Sequence, residues 1–377
     1  MQNNFLFDKI IINPDDIDLS FSPFRKNLNF ETFVLGAFNP GMARLPNGNI
    51  ILMVRIAEAL KSPVFDNKVH SIRWDTKKGY VLDAYNLEEV DMSDPRSFTL
   101  KKFYPMQVDA LTSLSWILPV ELTKDGSEVV HVHYDKIISP TKSYQEYGIE
   151  DARISYIEGK YYMTCCCVSS ERLCTALFTS ENGLDYALQG IVLDHQNKDM
   201  LLFEGVINDK FYALTRPMGS VYFATSLEND YNPGPSINLA ESPDALHWKP
   251  LDEPFIRAGK SKTTSLKLGG GAQPVITPKG WLVLFHGVEK NGKIGAYRTY
   301  WALLDKNEPW KIVHLEMQNS ILSSKPELTK HLLNSIYVED VVFTTGIVDD
   351  GDDFIVASGE LDLCTRITRI SKSTFNL

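Results

Sequence analysis

The sequence predicts an all-β protein, and within that class a five-bladed β-propeller. Two observations carry this. A short pattern of apolar stretch, polar turn and hydrophobic or aromatic run recurs five times along the chain. The composition is also strand-rich, with 16 Tyr, 19 Phe and 6 Trp among 377 residues, while helical periodicity is weak everywhere except near 325–334. Repeats of roughly 50 to 70 residues built from hairpins are the mark of a propeller. A β-sandwich would supply similar strands but gives no reason for the repeated hairpin.

The first 30 residues, with Pro14 and Pro23, read as a lead-in that packs on the body, and 31–377 as the propeller and catalytic domain. The first hairpin turns at Asn47-Gly48, a strong two-residue turn signal. Later copies turn at Glu158-Gly159, Asn208-Asp209, Lys279-Gly280 and through 349–353. A second echo links 176–183 with 238–245. The long interval 66–145 is expected to carry blade strands plus an insertion. Closing the blades in a ring gathers the residues just before each hairpin on one face: Asn39, Asp151 to Arg153, Glu204, Lys267 and Asp340.

Bulk properties exclude several partners. The net charge is −10 with no Lys/Arg stripe, which argues against nucleic acid. No apolar window approaches 18 residues, so no membrane span is expected. The start Met1-Gln2-Asn3-Asn4-Phe5 has no basic or apolar leader, and the odd count of five cysteines includes the adjacent Cys165, Cys166 and Cys167. A cytoplasmic protein with reduced thiols is the expectation. His131 and His133 share a strand face but have no third ligand, so neither metal nor organic cofactor is expected. The lead-in and the 66–145 insertion are the surfaces through which a homo-oligomer would form.

The most informative stretch is Gly148-Ile149-Glu150-Asp151-Ala152-Arg153, which opens an aromatic-rich strand. A carboxylate at a strand mouth beside a guanidinium can be held in one rotamer for proton transfer, although the same pair can be a plain structural ion pair. Acids, amides and bases gathered with Phe38, Tyr147, Phe203, Phe285 and Tyr297 suit a carbohydrate, whose hydroxyls take the polar groups and whose C–H face takes a ring. Asp151 and Glu204 could supply the two carboxyl groups that glycoside cleavage requires. Gly269-Gly270-Gly271 lacks a following GK[ST], so it reads as a tight strand start and not a phosphate loop. His286, at the end of a repeated strand, is either a structural imidazole or a site residue.

Five motifs together resemble glycoside hydrolase family 130, the β-mannoside phosphorylases and β-1,2-mannosidases. They are Asn39-Pro40-Gly41, Glu150-Asp151-Ala152-Arg153, Thr215-Arg216-Pro217, the run from Lys267 to Pro274, and Phe285-His286-Gly287. The resemblance covers about 33–358 and implies a five-bladed propeller acting on manno-oligosaccharides. It implies that Asp151 is the general acid, delivering its proton through a mannosyl hydroxyl. Asn39 and Arg55 would bind sugar near the scissile bond, and Asp353 would meet the mannosyl hydroxyls. Arg216, Lys267, His286 and Tyr297 fall where the phosphorylases hold inorganic phosphate.

One departure favours hydrolysis. The family pattern Phe-Pro-Glu-Lys stands here as Phe203-Glu204-Gly205-Val206, which loses a lysine, and no basic residue is evident around His195-Gln196-Asn197. A carboxylate in a phosphate site repels a dianion and can activate water. The expectation is an inverting β-1,2-mannosidase with Glu204 as base, or Glu289 as a weaker substitute. The alternatives are a phosphorylase using inorganic phosphate as co-substrate and releasing mannose 1-phosphate, a non-catalytic propeller binding glycans or protein, and a five-bladed glycosidase for arabinan or fructan.

Overall fold

The computed structural model describes residues 5–25, 28–219, 221–292 and 294–377. Its elements are strands and short 3₁₀ turns, with no α-helix among the described residues. The interval 325–334, the one place with a hint of helical period, forms two 3₁₀ turns, Pro326–Leu328 and Lys330–Ser335. No helix of the described residues is long and apolar enough to cross a membrane.

All five expected turns are present, and each places residues with positive φ where the chain reverses. Gly48 has φ 86°, Glu158 49°, Gly159 86°, Asn208 51°, Asp209 59°, Gly280 134° and Gly351 72°. The strands they join are antiparallel neighbours: Thr32–Arg44 with Ile50–Leu60, Gly148–Ile157 with Lys160–Val168, and Val342–Asp350 with Asp353–Glu360. The second strand of the first pair, Ile-Ile-Leu-Met-Val-Arg-Ile-Ala-Glu-Ala-Leu, is buried at every residue but Arg55. It is covered on both faces and so reads as a continuous apolar run without alternation.

The hydrogen-bonded sheets contain four, eight, four and five strands, with two small three-stranded sheets besides. The eight-stranded sheet consists of two antiparallel halves joined by one parallel pairing, Ser115 with Gly148. In the five-stranded sheet, Lys267–Gly270 and Val275–Thr277 both pair with Gly280–Glu289, as one strand broken in two. The long interval holds the two small sheets, Val64–Phe65 to Gly79–Asn86 and Val90–Asp94 to Asp109–Leu111, before the chain rejoins a main sheet at Ser113–Leu122.

The N-terminal segment supplies an edge strand, Phe7–Ile12, to the sheet formed by the last three strands, so the two ends of the chain are hydrogen-bonded together. A buried ion network secures this seam. Arg366, with no exposed surface, holds Asp8 through two hydrogen bonds of 2.7 and 2.9 Å and Glu360 through one of 2.9 Å. Lys325 also reaches Asp8. All five cysteines are free and buried.

Candidate active site

Three strands carry the same irregularity. The pairing register skips between Phe38 and Gly41, between Glu150 and Arg153, and between Lys198 and Leu201. Each skip is a bulge holding one residue in the left-handed region: Asn39 at φ 49°, Asp151 at 51° and Asp199 at 56°. Asn and Asp tolerate that conformation better than other side chains, and a bulge redirects the side chain it carries. All three residues line a single cavity of about 360 Å³, a volume typical of small-molecule sites.

The cavity collects Asn39, Arg55, Asp151, Arg216, Lys267, His286 and Tyr297. Asp151 sits among donors. Its Oδ1 accepts from Asn39 Nδ2 at 3.0 Å and from Arg55 Nη1 at 3.0 Å. Burial pushes its carboxyl up, but Arg55, Arg153 and Lys198 together outweigh burial and hold it below the ordinary range. Arg153 lies behind the wall, where it donates to the backbone oxygens of Asp151 at 2.7 Å and Gly271 at 3.1 Å and spans to Asp199 at 3.1 Å. Packing under the acid is close: a Cβ on Gly359 would fall 2.0 Å from Asn39 Oδ1.

Around Asp199 lies a cationic cluster. Arg216 Nε is 2.7 Å from Asp199 Oδ2, yet Arg216 Nη1 is buried with no hydrogen-bond partner among the described residues. Burial raises the Asp199 carboxyl, and the cations Arg216, Arg153 and Lys198 bring it down to about 2, so it is ionised. His286, 4.0 Å from Asp199, is driven down to about 3 by burial, with Arg216, Lys267 and Arg153 adding to the fall, so its imidazole is neutral. Lys267 Nζ lies 5.3 Å from the Tyr297 ring centre, and Lys198 pairs with Glu150 at 3.2 Å. The glycine run serves this packing, since a Cβ at Gly269 would come within 2.7 Å of Asp199 Oδ2 and 2.6 Å of His286 Cε1.

Several residues expected at the site lie outside this lining. Glu204 is not in the cavity lining: it follows the inner strand Asn197–Leu202 toward the turn, where its carboxylate accepts from Gln273 Nε2 at 3.3 Å. Asp353 sits beside the turn of the last hairpin, paired with Arg369 at 2.8 Å, and it too lies outside the lining. Asp340 is engaged by Arg298 at 2.6 Å and Ser324 at 2.6 Å and is likewise absent from the lining. Of the aromatic residues, Phe38 and Tyr297 line the cavity, whereas Phe203 and Phe285 are fully buried core and Tyr147 is buried against Cys166 and Val168 outside the lining. His133 meets Glu121 at 3.2 Å, and no group of three potential ligands among the described residues could hold a metal.

The cavity also contains residues that sequence reading missed. Asp199 repeats the bulge of Asn39 and Asp151, and its spacing to the following turn was the available signal. Lys198 is the basic residue sought near His195 to Asn197, one position further on. Asp362, in the left-handed region at φ 50°, lines the wall, and burial raises its carboxyl against the pull of Arg55.

An acid held among donors beside a buried cation cluster, in a cavity of about 360 Å³, offers chemistry that a glycoside-active enzyme can use, and the relatives are enzymes of that class. The β-1,2-mannobiose phosphorylase of Listeria innocua is 32% identical over 342 residues, covering 87% of each chain. The 1,2-β-oligomannan phosphorylase of a Thermoanaerobacter species is 30% identical over 64% of this chain and 74% of its own. The solved structure of the Listeria enzyme with β-1,2-mannobiose superposes with a TM-score of 0.81 at 29% identity, covering 97% of this chain and 96% of that one. A glycosyl hydrolase from Bacteroides ovatus shares the fold at 17% identity and a TM-score of 0.67, covering 98% and 94% of the two chains. The glycoside hydrolase family 130 profile, described as β-1,4-mannooligosaccharide phosphorylase, matches residues 103–376, and the chain belongs to this family.

Proposed function

We propose that this chain is a β-mannoside phosphorylase that cleaves β-1,2-linked manno-oligosaccharides with inorganic phosphate as co-substrate, on a five-bladed propeller. The observation that carries the reading is the cationic cluster on Asp199, in which Arg216 keeps a buried donor without a partner. Such a group is poised for an oxyanion, and Lys267 and the neutral His286 lie in the same wall. The hydrolytic alternative requires a carboxylate base, and Glu204 is outside the lining. Glu150 is engaged by Arg55 at 2.9 Å and Lys198 at 3.2 Å, and Asp199 by Arg153 and Arg216. The named activities of the relatives support phosphorolysis as well.

In this reading a phosphate oxygen attacks the anomeric carbon from the side of Arg216 and Lys267. The C1–O bond breaks, and the departing oxygen takes the proton of Asp151 relayed through a mannosyl hydroxyl. One inversion turns the β-mannoside into α-mannose 1-phosphate and a chain one sugar shorter. Asn39 and Arg55 orient Asp151, and Asp362 takes the place assigned to Asp353 in binding sugar hydroxyls. A bound phosphate dianion offsets the cations that hold Asp151 ionised, and burial then keeps the proton on the acid.

Two features support five blades. Dividing the eight-stranded sheet at its lone parallel pairing, and counting the broken strand as one, leaves five antiparallel four-stranded units. The last unit joins the first strand of the chain to the final three, as ring closure demands. Turnover of β-1,2-mannobiose with and without phosphate tests the function. Mannose 1-phosphate formed only with phosphate is expected, and free mannose alone at an unchanged rate would overturn it.

A further inference from the structure

Glu150 precedes the acid in the chain, and neighbours on a regular strand point to opposite faces. Here the bulge that begins after Glu150, with Asp151 at φ 51°, brings both carboxylates to one guanidinium. Arg55 donates from Nη2 to Glu150 Oε1 at 2.9 Å, from Nη1 to Asp151 Oδ1 at 3.0 Å and from Nε to Ser115 Oγ at 2.9 Å. Its plane also lies 4.9 Å from the Phe38 ring centre. With all three nitrogens engaged, Arg55 is fixed in place by protein groups.

The second oxygen of Glu150 faces the other way. Oε2 accepts from Lys198 Nζ at 3.2 Å, and Lys198 is followed by Asp199, the centre of the cluster with Arg153 and Arg216. Lys198, Glu150, Arg55 and Asp151 thus form one line of alternating charge from the cationic wall to the acid. The Glu150 side chain is only 4% exposed and stands opposite buried Cys166, so water screens this line weakly. The other charged or titratable groups around Asp151 are Arg153, Asp199, Asp362 and the thiols of Cys165 and Cys166, which burial keeps protonated.

Resting on the phosphorylase reading, we propose that Glu150 is a positioning residue that holds Arg55 against the acid and Lys198 against the cationic wall, and so balances the charge around Asp151. The carboxylate offsets part of the attraction that the two cations exert on the ionised acid. Removing it leaves Asp151 among uncompensated cations and makes the proton easier to lose. Removing Lys198 does the reverse.

The pH dependence of kcat/KM for mannobiose at saturating phosphate tests this, because its alkaline limb follows the proton on the acid. In Glu150→Gln, which keeps the side-chain shape, the limb should move down by about one pH unit, and in Lys198→Gln it should move up by a similar amount. Above the limb, Glu150→Gln should therefore be about tenfold slower than wild type, while its low-pH plateau stays within about threefold. Ser115→Ala loosens Arg55 without changing charge, so it should lower the plateau severalfold and leave the limb in place. Limbs within about 0.3 pH unit of wild type in both charge variants, or displaced in the same direction, would overturn the proposal. Wild-type turnover indifferent to phosphate would remove the phosphorylase reading alone, and the limbs of the same variants in hydrolysis would then decide the role of Glu150.

Discussion

Glu204→Gln separates a buried structural carboxylate from a catalytic base. Burial raises the Glu204 carboxyl from 4.5 to about 7, while the Gln273 amide and a backbone N–H near Tyr156 pull it part of the way back. Ionising Glu204 in place therefore costs about 3 kcal/mol, trimmed toward 2 because some solvent reaches the residue. Its folded state binds the proton more tightly than the unfolded chain does. The associated stability is complete below about pH 4.5 and is lost as pH rises through about 7. Glutamine does not titrate and can still accept from Gln273. Wild type and variant should unfold together at pH 5, and the variant should be more stable by about 2–3 kcal/mol at pH 8.5, a rise of a few degrees in Tm. Thermal unfolding at the two pH values reads this, and phosphorolysis by the variant should stay within about threefold of wild type. A fall in kcat of about a hundredfold, rescued by azide, would make Glu204 a base and refute the reasoning. A Tm difference identical at both pH values would refute the burial argument.

Three further outcomes follow from the site and the seam. Asp151→Asn should lower kcat by about 10²- to 10⁴-fold, with far-UV circular dichroism unchanged, because in the proposed mechanism it deletes the proton donor and keeps the shape. Asp362→Asn should lower kcat/KM for mannobiose about tenfold or more, whereas Asp353→Asn should leave kinetics unaltered and cost under about 1 kcal/mol for its pair with Arg369. Arg366→Met leaves Asp8 and Glu360 facing each other without their shared cation and should destabilise the protein by about 3–5 kcal/mol in urea unfolding.

The hairpins were legible because their turns need residues that accept positive φ, and Asn47-Gly48 or Glu158-Gly159 declare that requirement locally. Asn39 and Asp151 were picked out by their place before a recognisable hairpin turn and by the short motifs around them. Glu204 and Asp353 went astray through position within the hairpin. Asn39 lies eight residues before Asn47 and Asp151 seven before Glu158, whereas Glu204 lies only four before Asn208. Asp199, nine before that turn, matches the spacing and occupies the bulge. Asp353 comes after its turn, at the far end of the sheet from the cavity, and the chain returns to the cavity only at Asp362. The entry of Arg96 into the cavity lining had no local signal, because it depends on how a long excursion folds back over distant strands. The core role of Phe203 and Phe285 was hidden likewise, since an aromatic residue beside a polar one reads the same in a pocket as in a packed sheet.

In the proposed function the cations gathered on Asp199 hold phosphate across the cavity from Asp151, and the phosphate KM of Arg216→Lys reports on that role. Lysine keeps the charge that neutralises Asp199 but loses the donor fork. The phosphate KM should rise about tenfold or more while the mannobiose KM stays within about threefold. A mannobiose KM that rises while the phosphate KM holds, or a rate that never depended on phosphate, would contradict it.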